Sequence, residues 1–226
     1  MNIKKPSSVS IEKCINNLTE DGIWKPLPER EAEIDYINEF IENSFVSDDP
    51  LILIVSGPKL CGKTAVLHTC SLMSDFEDMI FFFDCIQNNI FDFQNLPDDD
   101  RKLIVLDNFA LKENIDLVHF FYELNFSIIV VIQQHEKNDL QNIINILQDS
   151  GVFASSIRTI NFGRYDRNKI KNILNEYMKE TYDIVPSAII SSISVQVEKN
   201  EESIQDAFQV LHNYLQNNNT DEPNNQ

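Results

Sequence analysis

Eight consecutive residues constrain this chain more than any other feature: Gly57-Pro58-Lys59-Leu60-Cys61-Gly62-Lys63-Thr64. They match G-x-x-x-x-G-K-[ST], a pattern with a physical meaning when a strand precedes it and a helix follows. Both conditions are met by the sequence. Leu51-Ile52-Leu53-Ile54-Val55 is an apolar run of strand length, and Gly62 to about Met73 reads as a helix. The chain holds only 5 glycines, and two of them stand in this octapeptide. Glycines let the backbone wrap closely around a phosphate, while amides at the helix N-terminus point inward as an anion nest. On this reading Lys63 reaches the β- and γ-phosphates and Thr64 ligates Mg²⁺. Gly57, Pro58, Lys59, Leu60, Cys61, Gly62 and Ala65 complete the expected nucleotide-binding set.

A second element belongs with the first. Leu103-Ile104-Val105-Leu106-Asp107 is four apolar residues followed by an acid, the pattern of a buried strand with a carboxylate at its C-terminal end. In phosphate-loop proteins such an Asp holds Mg²⁺, so the expected metal set is Thr64 and Asp107. The next residue is Asn108. Efficient hydrolysis by an aspartate-glutamate pair needs Glu there to activate water. An amide cannot accept that proton, so binding is expected over fast turnover, and no catalytic residue is assigned.

The remaining periodicity places these elements in an α/β chain. Ile34, Ile37, Phe40 and Ile41 form one apolar face in a helix expected over 29–45. Ile80-Phe81-Phe82-Phe83, Ser127–Gln133 and Arg158–Phe162 read as further strands, with helices over 111–124 and 139–148. Fully apolar strands alternating with helices indicate a doubly wound parallel sheet. After Gly163 the strands stop. Helices expected over 168–179, 186–197 and 201–215 suggest a small helical appendage. The expected organisation is therefore a polar N-terminal extension over 1–22, a nucleotide-binding base over 23–163, a helical lid over 164–215 and a disordered, Asn- and Gln-rich tail over 216–226.

Composition bounds the partners. With 18 Lys+Arg against 36 Asp+Glu the net charge is −18, which excludes binding to nucleic acid through bulk electrostatics. It leaves room for a local patch, as around Lys59 and Lys63, or for partners that supply the basic surface. The start of the chain has no apolar run after its two lysines, so no secretory signal is expected, and no apolar stretch approaches the ~20 residues a bilayer requires. Cys14, Cys61, Cys70 and Cys85 show no ligand spacing and read as reduced thiols. Asp98-Asp99-Asp100 reads as a solvated loop, and Phe81-Phe82-Phe83 with Phe91 and Phe93 as core.

At this point the sequence resembles a family. Lys25-Pro26-Leu27-Pro28-Glu29-Arg30-Glu31 ahead of the first helix is similar to the entry of AAA+ ATPases of the origin recognition complex and replication-licensing clade. Ile160-Asn161-Phe162-Gly163-Arg164-Tyr165, running on to Ile173-Leu174, resembles that clade's junction between base and lid. The resemblance spans roughly residues 25–214. It implies a P-loop AAA+ fold, ATP and Mg²⁺ as cofactors, ATP held between base and lid, Arg30 beside the adenine pocket, and other AAA+ subunits as partners. It further implies a nuclear role in DNA replication initiation, with DNA met through partners, and no membrane. Departures from the clade narrow it. Gln133-Gln134 is an imperfect match to a polar sensor, the start of the last helix (Glu201 to Phe208) carries no arginine, and Arg158 is out of register for a trans-acting finger. These losses resemble the non-catalytic subunits of the complex. Leu106-Asp107-Asn108-Phe109-Ala110-Leu111-Lys112 and Phe83-Asp84-Cys85 are most similar to the fifth. The family also carries a C-terminal winged-helix or related helical region, which this sequence is expected to be too short to hold, so the resemblance implies either a reduced or an incomplete member.

Two other classes share the loop. A stand-alone nucleoside or small-molecule kinase would use Asp84 as a substrate-binding acid, but the C-terminal helices lack its arginines, with only Arg164 and Arg167 at their start. A signalling-type NTPase switch of the GTPase kind would carry N-K-x-D, which is missing.

Overall fold

The structure, a computed structural model, describes residues 28–86, 101–133, 139–178, 185–200 and 202–219. Among them the chain forms two compact units, Arg30–Arg164 and the helices from Tyr165 onward, with Glu29 joining the second.

The larger unit is built on a five-stranded, all-parallel sheet. Its elements are α1 (Glu31–Val46), β1 (Ile52–Ser56), α2 (Lys63–Leu72), β2 (Ile80–Asp84), β3 (Leu103–Phe109), α3 (Leu111–Glu123), β4 (Ser127–Ile132), α4 (Asp139–Asp149) and β5 (Ile157–Asn161). The strand order is β2-β3-β4-β1-β5, and every pairing is parallel. The strands that read as continuous apolar runs lie inside: β1 and β4 are buried at every residue. Side chains alternate across a strand. Ile52 and Ile54 therefore join Ile104, Leu106, Ile128 and Val130 under Val118 and Phe121 of α3 and Ile143 and Leu147 of α4. Leu53 and Val55, equally buried, point to the opposite face. Burying one such side chain contributes about 1.5–3 kcal/mol, so these rows hold the sheet's C-terminal edge in a fixed plane. Of the stripe its periodicity predicts, α1 buries Ile37, Phe40 and Ile41, while Ile34 is half-buried.

The second unit is three helices, α5 (Arg167–Tyr177), α6 (Ser187–Lys199) and α7 (Ile204–Asn219). They share one core of Ile170, Ile173, Leu174, Ile190, Ile193, Val197, Ala207, Leu211 and Leu215. Asp166 caps α5 by accepting from the Lys169 N–H at 2.9 Å. Ser203 and Asp206 form a reciprocal cap at the start of α7: Asp206 Oδ2 accepts from the Ser203 N–H and Oγ at 2.8 and 2.6 Å, and Ser203 Oγ accepts from the Asp206 N–H. This is the capping-box logic with Asp in place of Glu. Those bonds hold the Asp206 carboxyl below the usual carboxylate range.

Element limits differ from the sequence expectation by a few residues, each for a local reason. α1 begins at Glu31 rather than 29, because Glu29 is left-handed (φ 66°) and Arg30 is the N-cap. α7 begins after its cap and continues to Asn219 rather than ending at 215, since no Gly or Pro interrupts it. β3 runs past Asp107 to Phe109 through a register shift. Lys25–Leu27, Phe91, Phe93, Asp98–Asp100 and Gln134 lie outside the described residues.

Candidate functional site

In an open parallel sheet, ligands are met outside the carboxyl ends of the strands. Here β1, β2 and β3 deliver to that edge the octapeptide, Asp84 and Asp107. The sequence placed Lys63, Thr64 and Asp107 together from separate motifs, and the fold brings them together. Thr64 Oγ1 donates to Asp107 Oδ2 at 2.8 Å.

The loop leaves β1 under close constraint. The Phe162 N–H donates to Ser56 O at 2.7 Å, which brings the chain beyond β5 against Gly57. A Cβ on Gly57 would meet Phe162 O at 2.5 Å and Phe162 Cβ at 2.9 Å, and its φ of 152° disfavours a side chain independently. Gly62, the N-cap of α2, is left-handed with φ 93° and offers no side-chain cap. The first helical amides have no intrahelical acceptor, and here no N-cap side chain competes for them. Leu60, at the exposed tip, is also left-handed (φ 60°).

Lys63 lies under this arch. Its ammonium donates to Gly57 O at 2.9 Å and Pro58 O at 2.7 Å and approaches Cys61 Sγ at 3.7 Å. Lys59 is exposed, Pro58 and Ala65 half-buried. Cys61 is buried.

Arg30 has a role the sequence did not indicate. Its guanidinium is 2% exposed and donates to Cys61 O at 2.8 Å and Gly163 O at 2.6 Å. It pairs with Glu33 and lies 5.1 Å from the Phe162 ring centroid. A buried guanidinium needs its forked donors met. Met in this way, it clamps the fifth residue of the loop to the chain leaving β5.

The acid side of the site is more elaborate than expected. Asp84 and Asp107 are register partners on adjacent strands. At the register shift, Asn108 adopts φ 54°, its N–H donates to Asp107 Oδ1 at 2.8 Å, and its Nδ2 donates to Asp84 Oδ1 at 3.0 Å. Sequence reasoning gave Asp84 a chemical role only in the kinase alternative, and otherwise used it as part of the Phe83–Cys85 resemblance. The missed signal was that Phe81-Phe82-Phe83-Asp84 and Ile104-Val105-Leu106-Asp107 are equal apolar runs ending in Asp, which parallel pairing sets side by side. Burial and the Asp84 and Asp107 carboxylates push the Cys85 thiol up to about 11, a mark of negative field at this edge. His68, one turn beyond Thr64, stacks on Phe82 at 4.0 Å between ring centroids. Burial lowers its pKa against the opposing pull of Asp107.

Other singled-out residues fall elsewhere. Arg158 pairs with Glu39 at 3.5 Å on the surface. Gln133 is exposed just beyond β4, and Arg164 is exposed. The Arg167 N–H donates to Glu198 Oε1.

No family model matches the chain, and no curated protein does. Solved structures do match in fold. A structure of Drosophila ORC bound to DNA aligns with TM-score 0.69 at 12% identity, covering 97% of this chain and 63% of that one. Cdc6p from Pyrobaculum aerophilum aligns with TM-score 0.68 at 15% identity, covering 90% and 66%. The Aeropyrum pernix ORC2 protein in its ADPNP–ADP complexes aligns with TM-score 0.58 at 12% identity, covering 87% and 63%. The chain thus has the α/β fold of ORC and Cdc6 AAA+ proteins and spans about two thirds of their length.

Proposed function

We propose that this chain is an ATP-binding AAA+ subunit of an origin-recognition-like complex acting in DNA replication initiation in the nucleus, with ATP·Mg²⁺ serving assembly more than turnover. The observation that carries the reading is the joined set Lys63, Thr64 and Asp107 with Asn108 in the water-activating position. The residues fit the cofactor. Two glycines with positive φ, uncapped helix amides and an ammonium suit a triphosphate. A hydroxyl and one carboxylate suit Mg²⁺, which keeps several waters and takes one or two carboxylates besides phosphate.

Gly57 to Ala65 would then bind the phosphates, with Lys63 exchanging loop carbonyls for phosphate oxygens. Thr64 and Asp107 would hold the metal, which would supply charge neutralisation of the phosphates. Arg30 serves the nucleotide from beneath, by fixing the loop through Cys61 O. Asn108 has no proton-accepting group, which favours slow or absent hydrolysis. The kinase alternative loses support because its substrate acid, Asp84, already accepts from Asn108 and from the Ile86 N–H.

Partners are then other AAA+ subunits, and DNA is met through them. Similarity to the fifth subunit rests on Leu106–Lys112 and Phe83–Cys85. Calorimetric titration with ATP·Mg²⁺ tests the reading. Saturable binding that Lys63→Ala removes is expected, and a chain that binds no nucleotide overturns it. ATP-dependent recovery of a multi-subunit AAA+ ring from native extract tests the assembly role.

A further inference from the structure

Asp84 lies outside the residues that nucleotide binding requires, yet it is bonded into them. From β2 its Oδ1 accepts from Asn108 Nδ2 at 3.0 Å. Asn108 sits at the register shift of β3 in a left-handed conformation, which costs an L-residue free energy unless neighbours hold it, Asn less than most. In that conformation its N–H reaches back to Asp107 Oδ1 at 2.8 Å, while Thr64 Oγ1 engages Oδ2 at 2.8 Å. The Asp107 carboxylate is thereby fixed through both oxygens, one from the loop helix and one from the bulge. Bulges next to functional sites re-aim side chains in this manner. The parallel pairing adds a backbone tie, from the Cys85 N–H to Asp107 O at 2.9 Å.

We infer that Asp84 is a positioning residue for the metal-holding carboxylate of Asp107, acting through the side chain and left-handed backbone of Asn108. The inference rests on the reading of Asp107 as a Mg²⁺ ligand. Residues that orient a ligating group from outside the ligand shell change metal affinity by about 10–100-fold when removed. A plain strand-ending role for Asp84, through its bond from the Ile86 N–H, would leave metal affinity untouched.

The experiment measures ATP affinity of the full chain in EDTA and across a Mg²⁺ titration, for wild type, Asp84→Ala and Asp84→Asn. Asp84→Ala is expected to raise the Mg²⁺ concentration for half-maximal tightening about 10-fold, with affinity in EDTA within about twofold of wild type. Asp84→Asn keeps an oxygen acceptor for Asn108 Nδ2 and is expected to rescue most of the effect. Should Asp84→Ala fold poorly, Asn108→Gly reads the same link, since it keeps the backbone conformation and removes the bond to Asp84. An unchanged Mg²⁺ requirement in Asp84→Ala or Asn108→Gly overturns the inference while leaving ATP binding intact. Failure of the wild type to bind ATP at all defeats the nucleotide reading itself.

Discussion

The two sides of the site are built on different terms. On the loop side, Gly57, Gly62, Lys63 and Thr64 keep the parts proposed to bind phosphate, and buried groups brace them: Arg30 on Cys61 O and Gly163 O, and Phe162 against Gly57. On the acid side, Asp107, the proposed metal ligand, stands at the strand end, but the neighbouring position is an amide bonded to a second carboxylate. In the helical unit, taken by itself, Ser203 and Asp206 are bonded to one another as a cap at the start of α7, where the family resemblance implies an arginine. On the proposed reading, groups that would recognise the ground-state nucleotide are present, and the positions expected to act on it as bonds break hold residues with structural partners. That difference separates binding from turnover, since only interactions stronger in the transition state accelerate chemistry.

The largest expected effect falls on the loop side. Lys63→Ala removes two charge-assisted donors, each about 1.5 kcal/mol or more, so ATP affinity should drop about 100-fold by calorimetry. A small loss would mean that the loop amides alone hold the phosphates. Next is Gly57→Ala. Its Cβ would lie 2.5 Å from Phe162 O, and relieving the overlap means parting the loop from β5. Denaturant unfolding should show a loss on the order of 2 kcal/mol, with ATP affinity reduced as well.

Asn108→Glu breaks the comparison from the other side. A carboxylate there would face Asp84 across what is now a 3.0 Å hydrogen bond, with Asp107 adjacent. Like charges so placed disfavour ionisation or turn one group away. The single substitution is expected to leave ATP hydrolysis unchanged in a phosphate-release assay, and adding Asp84→Asn is expected to relieve the repulsion, read as regained thermal stability of about 1 kcal/mol. Brisk hydrolysis by Asn108→Glu alone would show that the identity of residue 108, and not its pairing, separates the two sides.

What the sequence disclosed follows the same division. The meeting of Lys63, Thr64 and Asp107 at one edge was legible because its signals are local: a fixed spacing, an apolar strand before it, an acid at a strand end. The parallel sheet was legible because β1 and β4 are apolar at almost every position, which only burial on both faces explains. The role of Arg30 was not, because it depends on Gly163, 133 positions away. Nor was the Asp84–Asn108 bond, which needs the strand order, the register and the β3 shift together. Long-range hydrogen bonds leave no period in a sequence.

The smallest expected effect concerns His68, which ties α2 to β2 beneath the acid side. Burial lowers its pKa from the ordinary 6.5, with Asp107 pulling the other way. Near pH 6 the unfolded chain therefore binds more protons at this residue than the folded chain does, and stability rises with pH in that range. The contribution is complete above about 6.5 and is lost as pH falls from there toward the lowered folded value. Comparing wild type with His68→Leu at pH 7.5 and 5.5 cancels the carboxylates common to both. The wild type should lose more stability on acidification, by a few tenths of a kcal/mol, because solvent reaches part of the ring and Asp107 offsets part of the burial. Equal losses in the two proteins would mean that the imidazole stacked on Phe82 accepts its proton as easily as in water, and that Asp107 fully offsets burial at this edge.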